Sequence, residues 1–466
     1  MDSVSILGLG ASGVAAARLA LSTGGDVYVS DLRSDAKAAA GGATLQELGA
    51  DVELGRHDLE RIARSDTVVV SPGIPPDAPL LRALRDRGKR WISEPEYAFR
   101  FLRRPLIAVT GTNGKTTTVA LIAHLLREGG VEVGLGGNIG AGLGPPACDL
   151  VMEHPQPDWH VWEMSSFQLA DIETFRPDIG VLTNLAPDHL DRYGSVEAYY
   201  ADKARLFENA DPDSRWVLNA DDDGVLALAR DAAGERWYFS AQAGSRRGGR
   251  LEDGLLVLDM GDGQVEPLLR RSALPLLGTH NLANALAAAV VARLAGVPAG
   301  ALGAGLRTVR PLAHRLQAVV ERDGVLWVND SKATNVAAAA SAVRSLTRPL
   351  VILLGGKDKG EDLGPLADAL EARARVAVTY GAAGPRIADA LEGRVPVVRA
   401  GSDMEEVVRV ARDHARKGDL ILLSPACSSF DMFEDYEERG ERFAALAYAV
   451  DGGAHAVDGA VSSGGS

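Results

Sequence analysis

The stretch Leu106-Ile107-Ala108-Val109-Thr110-Gly111-Thr112-Asn113-Gly114-Lys115-Thr116-Thr117 decides the fold. Its first five residues read as a strand buried on both faces, and the helical pattern 119–127 begins just beyond the glycine turn. A strand, a glycine loop and a helix in that order make a phosphate cradle. Backbone N–H groups face the anion, Lys115 adds positive charge, and Thr116 offers a hydroxyl to Mg²⁺. The spacing is a partial P-loop, because Val109 stands where the first glycine of GxxxxGK would be. Gly111, Thr112, Asn113, Gly114, Lys115, Thr116 and Thr117 are the nucleotide-phosphate contacts this predicts.

Downstream, acidic and imidazole groups fall at strand ends. Strand 160–164 carries Glu163 and runs into Ser165-Ser166-Phe167-Gln168; strand 179–184 runs into Asp188-His189-Leu190-Asp191-Arg192-Tyr193. In open α/β sheets ligands gather at the carboxyl ends of strands, so both turns are expected to face the phosphate loop. Glu163 and His189 are candidate Mg²⁺ ligands, with His189 equally readable as a hydrogen-bonded turn residue. Asp188 and Asp191 alone would be turn or cap residues. Lys203 lies on the helix pattern 196–207, where periodicity does not separate a site lysine from a solvated one. Asn281 and Asn284, ahead of the helix 286–294, share a face and are candidate nucleotide contacts, with Asn281 alternatively an N-cap. Arg246 and Arg247, in a Gly-rich loop, read as solvated.

Upstream, strand 4–7 enters Gly8-Leu9-Gly10-Ala11-Ser12-Gly13, and strand 27–30 ends at Asp31. These spacings predict a Rossmann-like unit, with Asp31 where a ribose hydroxyl is often held; they do not say which nucleotide binds. Ser71-Pro72-Gly73-Ile74-Pro75 reads as a sharp turn after another strand. Toward the C-terminus, Arg322-Asp323-Gly324 reads as a hairpin turn, followed by Asn329-Asp330-Ser331-Lys332-Ala333-Thr334-Asn335. A charged pair at a strand-to-helix turn suits a phosphate or carboxylate, against the plainer reading of a helix cap and a solvated lysine. Gly355-Gly356-Lys357-Asp358-Lys359-Gly360 and Ser424-Pro425-Ala426-Cys427-Ser428-Ser429-Phe430-Asp431 end later strands, and the alternation with helices predicts a third α/β unit.

Composition sets the bounds. At about 150 residues per domain, 466 residues suggest roughly three domains. A net charge of −14 disfavours a nucleic-acid or anionic-membrane binder. Cys148 and Cys427 make neither a disulfide framework nor a cysteine metal site, and Cys427, lacking a general base nearby in sequence, reads as buried filler. The absence of a ~20-residue apolar run and of a basic leader predicts a cytoplasmic protein without membrane insertion. Lysine is scarce: eight against 41 arginines, at 37, 89, 115, 203, 332, 357, 359 and 417.

Three α/β units with three distinct loop sets resemble the Mur ligase family. The resemblance runs from Gly8 to about Phe443. It is carried by GTNGKTT (111–117), EMSSFQL (163–169), DHLDRY (188–193), GTHNLANAL (278–286), AHR (313–315), NDSKATN (329–335) and SPACSSFDMFEDYEERG (424–440). The P-loop alone would also suit folylpolyglutamate synthetases; the last two motifs, with GLGASG (8–13), resemble the member that adds D-glutamate. The resemblance implies an α/β fold in three domains: a Rossmann-like UDP-substrate-binding domain over 1–93, a central P-loop ATP-binding domain over 94–310, and a Rossmann-like D-glutamate-binding domain over 311–450. Residues 451–466, rich in Gly, Ala and Ser, read as a disordered tail.

The implied activity is ATP-dependent ligation of D-glutamate to UDP-N-acetylmuramoyl-L-alanine through an acyl phosphate. Its cofactors would be ATP and two Mg²⁺, with a carbamate on Lys203. By resemblance, Lys115, Glu163, His189, Lys203 and Lys332 are catalytic, and Thr116, Glu163, His189 and carbamylated Lys203 hold metal. Asn281, Asn284, Arg315 and Asp330 hold ATP beside the P-loop. Ala11, Ser12, Asp31, Arg33, Ser71, Gly73, Asn138, Ser165 and His189 line the UDP-substrate path. Lys332, Thr334, Lys359, Ser429, Phe430 and Tyr436 face D-glutamate, with Lys359 preferred over Lys357 on loop length. Leu32 departs from relatives with a hydroxyl there. The implied partners are these small molecules, and the implied state is a monomer. An NAD-dependent oxidoreductase would explain GLGASG and Asp31 but leaves the P-loop idle. A noncatalytic nucleotide-binding regulator leaves Lys115, Glu163, His189 and Lys203 without a purpose.

Overall fold

The computed structural model describes residues 2–140, 142–189, 192–242, 244 and 246–449. The tail 451–466 and Asp191, both read above, lie outside the described residues. Among the described residues the strands form three sheets.

In the first, β1 (Ser3–Leu7), β2 (Asp26–Asp31), β3 (Asp51–Leu54), β4 (Thr67–Val70) and β5 (Ile92–Ser93) pair in parallel in the order β3-β2-β1-β4-β5. The helix Ala11–Ser22 lies close because it buries small side chains, among them Ala15, Ala16, Ala17 and Ala20.

In the second, β6 (Leu106–Thr110), β7 (Val133–Gly137), β8 (Trp159–Glu163), β9 (Ile179–Leu182), β10 (Arg215–Asn219), β11 (Glu235–Ser240), β12 (Gly248–Glu252), β13 (Leu255–Asp259) and β14 (Val265–Arg270) run in the order β14-β13-β12-β11-β10-β9-β6-β8-β7. All pairs are parallel except β12-β13-β14. All five residues of β6 are buried, as a strand covered on both faces requires. Because β6 lies between β8 and β9, the three loops that follow these strands emerge side by side.

The third sheet, β15 (Gln317–Arg322), β16 (Val325–Asn329), β17 (Leu350–Gly355), β18 (Ala374–Tyr380), β19 (Val397–Arg399) and β20 (Leu420–Ala426), runs β15-β16-β20-β17-β18-β19. The predicted hairpin is β15/β16, the antiparallel pair. Apolar cores lie on two faces: one includes Val343, Leu366 and Ile387, the other Met404, Val407 and Phe443. Here β20 sits between β16 and β17, so the loops 329–335, 355–360 and 424–431 leave neighbouring strands.

The first two sheets fall in one compact unit, Met1–Arg271 with Ala283–Arg307, and the third in another, Ser272–Leu282 with Thr308–Ser466. The three-part α/β architecture read from the sequence is present. Some element limits differ. The helix read over 286–294 begins at Thr279, so Asn281 lies inside its first turn, past the N-cap position. The 196–207 pattern splits into an α-helix, Val196–Ala204, and a 3-10 turn, Arg205–Phe207. Arg247 is not simply solvated: its Nε donates to the Arg236 carbonyl at 2.7 Å and its guanidinium lies 4.3 Å over Trp237. Among the described residues no helix is long and apolar enough to cross a membrane.

Candidate active site

The loop 111–114 is held by the protein's own hydrogen bonds. Gly114 caps the helix Lys115–Glu128 in the left-handed region at φ +81°. A Cβ there would lie 2.6 Å from Asn284 Oδ1, so glycine is required and Asn284 sits directly against the loop. Thr112 N–H donates to the Asn184 carbonyl and Asn113 N–H to Asn184 Oδ1, each at 2.9 Å, tying the loop to the segment after β9. Lys115 Nζ donates back to the carbonyls of Gly111 (3.0 Å) and Thr112 (2.8 Å).

Lys203 meets it there. Its Nζ donates to the same Gly111 carbonyl at 2.8 Å and lies 4.5 Å from the Tyr199 ring centroid. The side chain is 1% exposed, so the solvated-helix reading is excluded. Burial drives its pKa down from 10.5 to about 6, helped by Lys115 and opposed by Asp188, Asp202 and Glu163. The shift favours the neutral amine.

Glu163 ends β8 and is 3% exposed. Its Oε1 accepts from Asn138 Nδ2 at 3.3 Å, while Oε2 is buried with no hydrogen-bond partner among the described residues. A spare carboxylate oxygen beside a phosphate loop suits a hard cation. His189 holds φ +54°, uncommon for a residue with a side chain, and its ring packs 5.1 Å from Phe167. Among the described residues no three His, Cys, Asp or Glu side chains form a metal-holding group, so Glu163 and His189 are not completed by a third such side chain. Ser165 caps the short helix Ser166–Leu169 in a box with Gln168, which occupies its hydroxyl locally.

In the first sheet, Gly13 is dictated by packing: a Cβ there would lie 1.9 Å from the Gly8 carbonyl. Ser71 Oγ donates to that carbonyl at 3.1 Å, bringing the 71–75 turn onto the glycine loop. Asp31 is committed to its own loop. Oδ2 accepts from Leu9 N–H and Arg33, both at 2.7 Å, and Oδ1 from Arg33 N–H and Nε. Burial opposes its charge, but these bonds hold its pKa near 2. Ala11, Ser12 and Asn138 line one cavity of about 780 Å³ with Gly137, Leu143 and Pro145, so three predicted UDP-substrate residues come together. Leu32 is 66% exposed.

The second unit gathers the other loops. Asp330 Oδ2 accepts from Ser424 Oγ at 2.8 Å and Oδ1 from Leu316 N–H at 3.1 Å; burial raises its pKa to about 7 against those bonds. Lys332 Nζ lies 3.7 Å over the Tyr436 ring, whose pKa rises to about 12 through burial and the bond to Glu437. Thr334 N–H donates to the Lys332 carbonyl at 2.9 Å. The Lys357 backbone bridges Ser428, bringing the loop of Lys359 to that of Ser429 and Phe430. Asn281 is buried and donates to the Leu277 carbonyl at 2.8 Å. Cys427 is buried and its pKa is raised to about 11 by burial, which suits filler and not a nucleophile.

Residue-by-residue reading gave no role to Arg439. It is wholly buried, donating to Ser331 Oγ and O and to the Cys427 carbonyl, and so staples 329–335 to 424–431. Nor did it give one to Tyr199 or Arg192. All three sit within or beside quoted motifs, but their contacts are made across the fold.

Glycine-loop, P-loop and third-unit geometry point to one class, and similarity to known proteins agrees. The model of the Mur ligase MurD-like N-terminal domain matches residues 2–93, the Mur ligase middle domain 109–292, and the Mur ligase glutamate ligase domain 314–427. The chain belongs to the Mur ligase family. Among its relatives, a protein of Acidobacterium capsulatum is 43% identical over 97% of each chain. One of Pelotomaculum thermopropionicum is 39% identical, over 94% of this chain and 96% of that one. Both are named UDP-N-acetylmuramoylalanine–D-glutamate ligase. The MurF ligase of Thermotoga maritima, solved in complex with ADP, shares the fold: its TM-score is 0.58 at 16% identity, over 90% of this chain and 95% of that one.

Proposed function

We propose that this chain joins D-glutamate to UDP-N-acetylmuramoyl-L-alanine at the cost of ATP, releasing ADP and phosphate, in cytoplasmic peptidoglycan precursor synthesis. The carrying observation is one constellation: Lys115 and Lys203 on the Gly111 carbonyl, next to the loop strand that pairs with Glu163. Similarity to ligases of that name over nearly the whole chain supports the specific substrates. In this reading the chain divides at 93/94 and 310/311, with the UDP-substrate, ATP and D-glutamate regions in that order.

A carboxylate is a poor electrophile. ATP passes its γ-phosphoryl group to the substrate's terminal carboxylate, giving an acyl phosphate and ADP. The D-glutamate amine attacks the acyl carbon; the adduct loses a proton and expels phosphate, leaving an amide. Phosphoryl transfer needs positioning and charge neutralisation, which Lys115 and Arg315 provide. Mg²⁺, when bound, adds neutralisation at the phosphate oxygens; Thr116, Glu163 with its spare Oε2, His189 and a modified Lys203 would hold it. A neutral Lys203 amine is competent to attack CO₂, losing one proton to form a carbamate. That change replaces a buried amine with the carboxylate the metal set lacks. Asn281, Asn284 and Asp330 are assigned to ATP. Ser71, Gly73, Arg33 and Ser165 are assigned to the UDP substrate, and Lys332, Thr334, Lys359, Ser429, Phe430 and Tyr436 to D-glutamate. The protein acts as a monomer on small molecules and uses no nucleic acid.

The test is phosphate release with ATP and UDP-N-acetylmuramoyl-L-alanine, comparing D-glutamate with L-lysine, meso-diaminopimelate and L-alanine. Release only with D-glutamate is expected; release independent of the amino acid would overturn the reading.

A further inference from the structure

Arg192 joins the turn 71–75 of the first sheet to the His189 segment of the second. Its Nη1 donates to the Pro72 carbonyl and its Nη2 to the Ile74 carbonyl at 2.9 Å, so the guanidinium spans Gly73 like a fork. That turn in turn rests on the glycine loop through Ser71 Oγ and the Gly8 carbonyl. While its edge donates to the Pro72 and Ile74 carbonyls, the guanidinium carbon lies 3.8 Å from the Phe167 ring centroid. Phe167 touches the His189 ring (5.1 Å) and stacks on Tyr193 (5.7 Å, 13° between planes), and Tyr193 OH donates to Asp202, the neighbour of Lys203. The Arg192 and Tyr193 N–H groups both donate to the His189 carbonyl, at 2.9 and 3.0 Å, which fixes the backbone where φ is +54°.

We infer that Arg192 is a positioning residue. It sets the separation between the loop that takes the nucleotide end of the substrate and the His189 segment at its carboxyl end, and so selects substrates of matching length. The inference rests on the proposed UDP substrate. A lysine keeps the charge but lacks the planar fork that reaches two carbonyls from one flat group packed on a ring.

The experiment is calorimetric binding of UDP and of UDP-N-acetylmuramoyl-L-alanine to wild type and Arg192→Lys, with KM and kcat alongside. UDP meets only the nucleotide end, so its affinity should change less than twofold, which also shows the variant folded. The whole substrate should bind roughly tenfold more weakly, as for loss of one charged hydrogen bond. Its KM should rise with it, while the KM for D-glutamate holds. Equal weakening of both ligands, or of neither, overturns the inference and leaves the proposed function intact. Wild type that binds neither ligand overturns both. If Arg192→Lys does not fold, Phe167→Leu keeps both hydrogen bonds and removes the ring. It should weaken the whole substrate more than UDP, to a smaller degree than Arg192→Lys; wild-type affinity for both ligands, or equal weakening of both, overturns the inference.

Discussion

At the residue scale, the scarcity of lysine becomes chemistry. Lys115 and Lys203 each reach the Gly111 carbonyl with one compact ammonium or amine, and Lys203 does so from a buried position. Lys→Arg at 115, 203, 332 and 359 should lower kcat/KM by about a hundredfold or more, as for loss of a group aimed at the reacting charge. The same change at Lys37, Lys89 and Lys417 should stay within about twofold. Equal tolerance at all seven would show that the lysine bias carries no chemistry. Lys203 has a sharper test. Stripping CO₂ should lower wild-type turnover and bicarbonate should restore it, whereas Lys203→Ala should be inactive and indifferent to bicarbonate. Normal turnover by Lys203→Ala would remove the carbamate from the account.

At the element scale, strands and their loops were the legible part. Parallel strands covered on both faces are apolar runs, and the glycines after β1 and β6 announce turns that only glycine can make. What was hidden depends on contacts across the fold. Periodicity left Lys203 open, because its amine is held by Tyr199 of its own helix together with the Gly111 carbonyl, which is far away in sequence. The first turn of the helix Thr279–Leu294 was missed because Thr-His-Asn reads as a cap. Arg192 and Arg439 stood in quoted motifs, but key partners of each, Pro72 for Arg192 and Ser331 for Arg439, lie more than a hundred residues away in sequence. Glu94, also unremarked, yields a pH prediction. It opens the helix Glu94–Phe99, accepts the Cys148 N–H, and leaves Oε2 buried without a partner among the described residues. Burial raises its pKa from 4.5 to about 7. Between those values the folded protein holds a proton that the unfolded chain releases. The stability this gives is full below 4.5 and lost as pH rises through 7. Glu94→Gln should therefore melt higher than wild type at pH 8 and lose that advantage by pH 4.5. A difference that does not vary with pH would mean that Glu94 does not titrate in this window.

At the scale of the whole molecule, Lys115 and Lys332 belong to different compact units, yet the proposed reaction needs both at one water-sensitive acyl phosphate. Solution scattering should show contraction when nucleotide and both substrates are added. Identical profiles would rule out large-scale closure. The central claim, ligation through an acyl phosphate, is tested most directly by following oxygen. UDP-N-acetylmuramoyl-L-alanine labelled with ¹⁸O in its terminal carboxylate is incubated with ATP and D-glutamate, and the products are weighed by mass spectrometry. The expected products are an adduct heavier than the labelled substrate by one D-glutamate less one ¹⁸O-labelled water, formed only with ATP, and phosphate carrying one ¹⁸O atom. A D-glutamate adduct whose phosphate carries no label, or labelled phosphate with no adduct, would contradict it.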